Sequence, residues 1–600
     1  MEMVGIHYLA GVPKCHAETG PMKSTQKVLV IGDDSRSFLS TVRSLGRKGI
    51  EVHAAPFDFG SAALLSRYIR KVHFVPYYLD GGAEWLATVS QLLRDEQYEL
   101  VIPCDERALL PLCLHREELG ELARLAIPSP TALEMFFDKI KTRELAQSLG
   151  VPVAAGRLLN ADELAPSVIA DIGLPVVVKQ PKSYQLPDLY IRSSTSIVRD
   201  EPALTACLRK HTNSAEPILL EQMFEGCGVG VSVLCSDGVI LQAFEHHRAH
   251  ELDGSSYYRK SAPLDADRLA AVARMTTAIR YTGLAMFEFK VNVNSRSWIL
   301  IEVNARPWGS LPLPVSIGID FPYRLFQLLS EHKESPALNY PIDRYGRNLM
   351  LDFWQARLQA ELFRGRPTQA LAHWGSWLWG FRRLLTGRER HDSCVLDDYR
   401  PGVKEVCDLF AGRAKSLRMR VTGKRAPTGT LAQRLRALAA SPQASITILF
   451  VCQGNINRSS YAEIRARQLF ADNAGRFTFT SAGMLPRNRR PSSPEAVKIA
   501  AKHGVDMVRH QSRHATRASL DQADLVIAFD ETNLRYITAR YPDLATQICL
   551  LSELDPRQGA ATVIADPEGS SVAVFDAVFQ TIDTCLLELA RIAQPVERAP

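Results

Sequence analysis

The sequence lacks several patterns that would assign a function at once. Its 11 cysteines form no C-x-x-C pair and no metal-ligand spacing, which disfavours structural zinc and disulfides. No uninterrupted apolar run approaches the roughly 18 residues of a membrane-spanning helix. The first 26 residues lack the basic, apolar and small-residue order of a secretion signal, so we expect a cytoplasmic location.

Two common nucleotide-binding motifs are also missing. The glycine in KVLVIGDDSRS does not belong to a G-x-G-x-x-G fingerprint, and G-x-x-x-x-G-K-[ST] does not occur. A nicotinamide, flavin or P-loop site is therefore disfavoured, and any nucleotide site must be of another type. The net charge of +6 is small for 600 residues, so we expect no nucleic-acid partner.

The length and the changing periodicity predict several domains. We divide the chain into an irregular extension (1–26), a small α/β domain (27–130), a domain of strands joined by short turns (131–330), a helical, tryptophan-rich and basic connecting region (331–444) and a domain of alternating strands and helices (445–600). The last pattern is typical of a doubly wound parallel sheet. The predicted class is therefore a multidomain α/β and α+β protein.

Two predicted strands, LAMFEFKV and SWILIEVNAR, carry converging polar side chains. The period of two places Glu302, Asn304 and Arg306 on one face, and a symmetric hairpin makes Glu288 the cross-strand neighbour of Glu302. Two carboxylates about 5 Å apart repel each other unless a cation or proton lies between them. Glu288, Glu302 and Asn304 therefore suit Mg²⁺, with Mn²⁺ as a substitute. The alternative is a solvated face neutralised by Lys290 and Arg306.

Other segments of the same region support a nucleotide site. Lys139 in FFDKIKTRELAQSLGVPV opens a predicted helix, and Lys179 ends the apolar strand PVVVK, where a buried ammonium needs an anionic partner. With LLEQMFEG, FEF and IEVNARPWGS, these segments resemble the ATP-grasp superfamily, in the branch of carbamoyl-phosphate synthase large subunits and biotin carboxylases. The resemblance covers roughly residues 27–330.

The ATP-grasp resemblance implies a ligase that uses Mg-ATP to convert a carboxylate into an acyl phosphate, which an amine then attacks. Its substrates would be small carboxylates and amines, and the alternative is a nucleotide-binding regulatory scaffold without catalysis. The resemblance implies phosphate, adenine and substrate contacts for six residues: Lys139, Lys179, Glu221, Gln222, Met223 and Arg306.

The segment CQGNINRSS places a thiol where an apolar strand turns into a helix. The C-x5-R spacing from Cys452 to Arg458 lets a loop wrap a tetrahedral oxyanion between inward-pointing N–H groups and a bidentate guanidinium. A helix N-terminus and an arginine favour the nucleophilic thiolate. Ser460 and Glu463 have the spacing of a capping box, which predicts helix initiation at that point. The alternative is a buried structural cysteine.

A candidate general acid, Asp566, lies in the loop segment IADPEGSS. In order, FVCQGNINRSSYAE, FTSAGM, DLVIAFDETNL and ADPEG resemble the low-molecular-weight protein tyrosine phosphatases over residues 446–593. The resemblance implies a phosphotyrosine protein as substrate, a phosphocysteine intermediate and no cofactor. It implies catalytic roles for three residues and loop-shaping roles for three others: Cys452 (nucleophile), Arg458 (phosphate clamp), Asp566 (general acid), Gly454, Asn455 and Ser459.

The segment departs from the family pattern at three positions, of which Ser460 in place of the usual proline is the mildest. Asn457 replaces a second loop cysteine that commonly guards the nucleophile against oxidation, and Glu568 stands where an aromatic residue is common. Ile456 is the residue type of tyrosine-directed members. By analogy, a bacterial tyrosine kinase of surface-polysaccharide export is a candidate partner.

The connecting region contains QALAHWGSWLWGFRRLL and, in residues 413–436, eight basic residues without an acidic one. A helix of this composition either packs into a core or lies in a membrane interface, with the basic run against anionic lipid. We favour the core helix, because tryptophan and leucine usually mark packing. Peripheral membrane contact is the alternative.

Overall fold

A computed structural model describes residues 26–78, 80–159, 165–184, 189, 195–211, 217–252, 255–361, 363, 366–407, 430–441, 445–471, 475–485, 488–544, 547–556, 564–570 and 572–593. The predicted extension up to residue 25 and residues 408–429 of the basic region lie outside the described residues. The predicted multidomain α/β and α+β class is confirmed.

The first domain is built on a parallel sheet with strand order β3-β2-β1-β4-β5. Its strands are β1 (Lys27–Ile31), β2 (Glu51–Ala55), β3 (Ile69–Val72), β4 (Leu100–Pro103) and β5 (Arg124–Leu125), and its helices are α1 (Ser37–Arg47), α2 (Ala83–Glu96), α3 (Glu106–Leu114) and α4 (Arg116–Gly120). Consecutive residues of β1 are buried on both faces, as in sheets that helices cover on two sides.

Two antiparallel sheets follow. The smaller has the order β6-β9-β7-β8 and the larger, which β15 and β16 extend, the order β14-β13-β10-β11-β12-β15-β16. The strands are β6 (Gly156–Leu159), β7 (Val176–Lys179), β8 (Ser196–Val198), β9 (Ile218–Gln222), β10 (Cys227–Ser236), β11 (Val239–Leu252), β12 (Ser255–Ala262), β13 (Gly283–Val291), β14 (Trp298–Asn304), β15 (Tyr345–Arg347) and β16 (Glu389–His391). The associated helices are α5 (Pro130–Phe137), α6 (Lys139–Ser148), α7 (Ala165–Ile172), α8 (Glu201–His211), α9 (Ala266–Ala278), α10 (Pro312–Ser316) and α11 (Phe321–Ser330).

The connecting region contributes more than the predicted helices. It holds α12 (Leu349–Glu361), α13 (Pro367–Gly380), α14 (Arg382–Leu385) and α15 (Thr430–Ala440), but also the last two strands of the large sheet. These strands are only three residues long, too short to show a period. Arg347 of β15 is buried between Glu389 of β16 (2.7 Å) and Asp352 (2.6 Å), which fixes this edge of the sheet.

The C-terminal domain has a parallel sheet with the order β18-β17-β19-β20. Its strands are β17 (Ile446–Cys452), β18 (Phe477–Gly483), β19 (Leu525–Ala528) and β20 (Ile548–Leu550), and its helices are α16 (Arg458–Leu469), α17 (Pro494–Lys502), α18 (Arg517–Asp521), α19 (Glu531–Arg540) and α20 (Val572–Ala593). Alternate residues of β17 enter two different hydrophobic cores, one on each face. The predicted doubly wound sheet is confirmed.

Helix α19 of this domain packs against the first domain. Tyr536 stacks on Tyr77 with ring centroids 4.9 Å apart and rings 12° from parallel, and both side chains are buried. The Thr532 hydroxyl donates to the Asp58 carboxylate (3.3 Å), and Arg535 donates to a carbonyl of the first domain (2.9 Å). No pattern in the sequence predicted this contact.

Candidate functional sites

The segment between β17 and α16 forms a closed loop around the predicted nucleophile. Cys452 Sγ lies 3.0 Å from Ser459 Oγ and accepts a hydrogen bond from the backbone N–H of Asn455 (3.3 Å). Asn455 has a positive φ of 54°, and its amide nitrogen donates to Ser459 Oγ (2.9 Å) and Ser481 Oγ (2.8 Å). Its amide oxygen accepts from the backbone of Arg513 (2.8 Å). These contacts hold the loop in one conformation around the sulfur.

Glycine at the end of β18 makes room for this loop. A Cβ on Gly483 would lie 2.8 to 3.0 Å from backbone atoms of Gln453, Gly454 and Asn455, which is closer than a side-chain carbon can approach. Gly483 is part of the FTSAGM segment but was not among the predicted site residues. Only the packing of β18 against the loop identifies its role.

Arg458 begins α16 and is almost completely buried. One terminal nitrogen donates to Asp530 (2.6 Å) and to the Ile564 carbonyl (2.8 Å), and the other donates to Asp566 (2.7 Å). Burial lowers the pKa of Arg458, but Asp566, Cys452 and Asp530 outweigh that effect and raise the pKa overall. The structure therefore brings the three predicted catalytic residues together and adds Asp530, the N-cap of α19.

Two of the departures from the family pattern, Asn457 and Glu568, are hydrogen-bonded to each other. The Asn457 amide donates to the Glu568 carboxylate at 2.6 Å, and Ser493 Oγ donates to the Asn457 amide oxygen at 2.7 Å. The backbone N–H of Glu568 donates to the Asp566 carboxylate oxygen that does not accept from Arg458 (3.3 Å). A continuous set of hydrogen bonds thus ties the Asp566 loop to the cysteine loop, and we call it the acid-loop link.

The predicted capping box is wrong. Helix α16 already begins at Arg458, so Ser460 lies inside its first turn and its hydroxyl donates to the Asn457 carbonyl (3.0 Å). Glu463 is buried and instead accepts from the Ser481 hydroxyl and from Arg513 (3.0 Å). The helix therefore begins without a side-chain hydrogen bond from its N-cap residue, Asn457.

In the large antiparallel sheet, Glu288 of β13 lies directly opposite Glu302 of β14, as predicted, with a bulge immediately after this pair. Asn304 donates to Glu288 (3.2 Å) and Glu302 (3.4 Å), and Arg248 pairs with Glu288 at 2.5 Å. Burial and the Glu302 charge raise the pKa of Glu288, although Arg248 opposes them.

The Glu288 and Glu302 carboxylates suit a hard divalent cation, whereas Asn304 turns its amide nitrogen toward both of them. A buried carboxylate with a raised pKa beside a second carboxylate favours a positive charge between the two. Arg306 pairs with Glu106 of the first domain at 2.6 Å and also donates to the Asn304 amide oxygen (3.3 Å). Glu302 and Asn304 also line a cavity of about 500 Å³ together with Lys139.

The two predicted lysines have different surroundings. The Lys139 ammonium donates to Ser183 Oγ (2.9 Å) at the same cavity. Lys179 is buried and pairs with Glu221 at 2.6 Å, and Glu221 also accepts from Arg143 (2.8 Å). We predicted nucleotide phosphate as the anionic partner of Lys179, and the structure pairs this lysine with Glu221. Gln222 is exposed, and Met223 is half-buried with its N–H donating to the Pro175 carbonyl (3.1 Å).

A further group of ligand-type side chains comes together among the residues that the structure describes. His53, His73 and Glu96 place ligand atoms within 4.8 Å of one another. Lys71 already pairs with Glu96 at 2.5 Å, and both histidines hydrogen-bond to the Tyr98 hydroxyl (2.7 and 3.0 Å). These groups satisfy one another, so we assign no metal to them.

Comparisons with solved structures match the N-terminal part of the chain. The N-terminal part is similar to an N5-carboxyaminoimidazole ribonucleotide synthetase in complex with ADP, at 15% identity and a TM-score of 0.43 over 56% of this chain and 84% of that one. It is also similar to a biotin carboxylase from Campylobacter jejuni, at 16% identity and a TM-score of 0.42 over 53% of this chain and 74% of that one.

Sequence comparisons match the C-terminal domain. The family model described as low molecular weight phosphotyrosine protein phosphatase matches residues 447–598. A probable low molecular weight protein-tyrosine-phosphatase EpsP from Ralstonia nicotianae is 30% identical over 136 residues, 23% of this chain and 88% of the relative. The low molecular weight phosphotyrosine protein phosphatase of Sus scrofa is 30% identical over 149 residues, 24% of this chain and 92% of the relative. Through its C-terminal domain, the chain belongs to the low molecular weight phosphotyrosine protein phosphatase family.

Proposed function

We propose that the C-terminal domain hydrolyses phosphotyrosine in proteins through a phosphocysteine. The Cys452 thiolate attacks phosphorus, the bond to the phenolic oxygen breaks, and the Asp566 carboxylic acid protonates that oxygen. Water then attacks the phosphocysteine, and Asp566 takes up a proton of that water. The P–S bond breaks, its electron pair returns to the Cys452 sulfur, and inorganic phosphate leaves. Arg458 and the loop N–H groups stabilise the charge on the phosphoryl oxygens.

The observation that carries this proposal is the convergence of Cys452, Arg458 and Asp566. The arginine reaches the carboxylate at 2.7 Å from the same loop that surrounds the sulfur. In the full chain, Cys452→Ser should abolish release of phosphate from a phosphotyrosine peptide. Asp566→Asn should lower turnover roughly 10²- to 10⁴-fold, the usual contribution of a general acid. Normal turnover by Cys452→Ser would exclude the mechanism.

For the N-terminal part we propose a Mg-ATP-dependent ligase that joins a carboxylate to an amine through an acyl phosphate. Support comes from the paired Glu288 and Glu302, the neighbouring Asn304 and the cavity beside Lys139. When bound there, Mg²⁺ or Mn²⁺ would neutralise charge on the nucleotide phosphates. Lys139 would add a further positive charge beside the cavity.

A regulatory, nucleotide-binding scaffold is the second candidate for the N-terminal part, because Arg248 already occupies one Glu288 oxygen and Arg306 is held by Glu106. A panel of carboxylates and amines with Mg-ATP distinguishes the two functions. ADP release that Glu302→Ala abolishes supports the ligase. ATP binding without release of ADP, for every pair in the panel, supports the scaffold.

The protein substrate of the phosphatase domain is proposed by analogy. A bacterial tyrosine kinase of surface-polysaccharide export fits a phosphatase of this family, and dephosphorylation of such a kinase by the full chain is the direct test. The Cys452→Ser variant should retain the phosphorylated kinase instead of releasing it.

A further inference from the structure

The helices α13 and α14 expose a stripe of large apolar side chains. Leu371, Leu378 and Leu385 are 73, 62 and 90% exposed, and Trp379 beside them is 68% exposed. Leu371 and Leu378 are seven residues apart within α13, so they lie close to one line along its axis, and Leu385 ends the following helix α14. We call these four side chains the apolar stripe, and Trp354 of α12 is a further exposed tryptophan of this region, at 44%.

A neighbouring side of α13 is packed against α12, and this packing leaves the stripe exposed. Trp374 and Trp377 contact Phe353 of α12 with ring centroids 6.0 Å apart, and Trp377 also packs on Phe381 at 4.9 Å. The Trp377 indole donates a hydrogen bond to Asp352 (2.8 Å). The favoured core-helix prediction therefore holds for one face only, and the other face presents leucine and tryptophan to solvent.

Arginines flank the apolar stripe. The Arg382 guanidinium lies 5.3 Å from the Trp379 ring, and the Arg357 guanidinium lies 5.2 Å from the Trp354 ring. Residues 366–390 contain five arginines and a single acidic residue, Glu389, which is buried against Arg347.

An anionic bilayer surface matches this combination better than a protein does. Tryptophan and leucine enter the boundary between headgroups and acyl chains, while arginines stay at the level of the phosphates. Each basic residue near an anionic leaflet adds to the attraction. Within the part of the chain that the structure describes, none of the helices has the length and apolarity that a bilayer span requires.

We propose that α13 and α14 dock the protein on an anionic membrane through the apolar stripe. The docked helix lies in the plane of the interface with Leu371, Leu378 and Leu385 inserted. Neither the phosphatase chemistry nor the nucleotide site is needed for this binding.

Co-sedimentation of the full chain with vesicles tests the proposal. We expect binding to phosphatidylcholine vesicles that contain phosphatidylserine, weaker binding to phosphatidylcholine alone, and partial release by high salt. Leu378→Glu and Leu385→Glu should each lower the partition coefficient about tenfold or more, because each removes one inserted apolar side chain. Leu396→Glu is the matched control, since Leu396 is 99% exposed outside the stripe.

Three results would overturn the proposal: no sedimentation with the anionic vesicles, equal losses for Leu396→Glu and Leu378→Glu, or unchanged binding of both stripe variants. Self-association of the wild-type chain that Leu378→Glu abolishes, without vesicle binding, would show that a second copy covers the stripe instead. Normal phosphatase turnover by the Leu378→Glu variant is expected and shows that the variant is folded.

Discussion

The acid-loop link predicts that two residues outside the catalytic trio position the general acid. Asn457 is buried and bonds to the Glu568 carboxylate at 2.6 Å, while Glu568 in turn holds Asp566 through its backbone N–H. Hydrogen bonds to a charged group contribute about 1.5 to 3 kcal/mol. Asn457→Ala or Glu568→Ala should therefore reduce the fraction of time that Asp566 spends in place by roughly tenfold or more.

The dependence on the leaving group reveals this role. Phenyl phosphate needs protonation of a poor leaving group, whereas 4-nitrophenyl phosphate needs it much less. For Asn457→Ala or Glu568→Ala in the full chain, we expect kcat/KM to fall about tenfold with phenyl phosphate and only slightly with 4-nitrophenyl phosphate. Glu568→Gln, which keeps an acceptor oxygen for the Asn457 amide, should restore most of the loss.

Two outcomes would refute the reasoning about the acid-loop link. Equal losses with both substrates would mean that the variants disturb phosphate binding and not the general acid. A loss with Glu568→Gln as large as with Glu568→Ala would mean that the hydrogen bond plays no part. The double variant should be no worse than the more affected single variant, because both changes break one interaction.

Three further predictions concern other parts of the molecule. Gly483→Ala should lower phosphatase turnover at least as strongly as it lowers stability, because the new Cβ must displace the backbone of the cysteine loop. Phosphatase kinetics and thermal unfolding of the same variant check this. Tyr536→Ala should lower the unfolding midpoint of the full chain by removing about 3 to 5 kcal/mol of aromatic packing against Tyr77, and an unchanged midpoint would contradict the docking of the two domains. Burial raises the pKa of the Asp33 carboxyl to about 6 from its usual 3.8. The native state therefore binds the carboxyl proton more tightly than the unfolded state does. As pH rises through that interval, the ionised carboxylate lowers the free energy of unfolding. Asp33→Asn should therefore stabilise the chain by up to about 3 kcal/mol at pH 7 and have little effect near pH 4. Denaturant unfolding at both pH values checks this, and an equal effect at the two values would contradict it.

Local periodicity determined much about this protein. The alternation of β13 and β14 placed Glu288 opposite Glu302, and alternating strands and helices predicted the parallel sheet of the C-terminal domain. The strand, loop and helix around Cys452 are also local, because a C-x5-R segment wraps an anion with its own backbone. The substrate classes and the roles of the individual residues stay predictions until the experiments above are done.

Only the tertiary structure decided which distant groups meet. Asn457 and Glu568 are 111 positions apart, and the contact between Thr532 and Asp58 spans 474 positions. Such pairs depend on how complete domains pack, and no period of two or 3.6 residues records that packing. The same reason explains the wrong capping box: Glu463 reaches Ser481 of the neighbouring strand instead of the start of its own helix. It also explains α13, since the sequence pattern alone does not show which of its apolar side chains α12 covers.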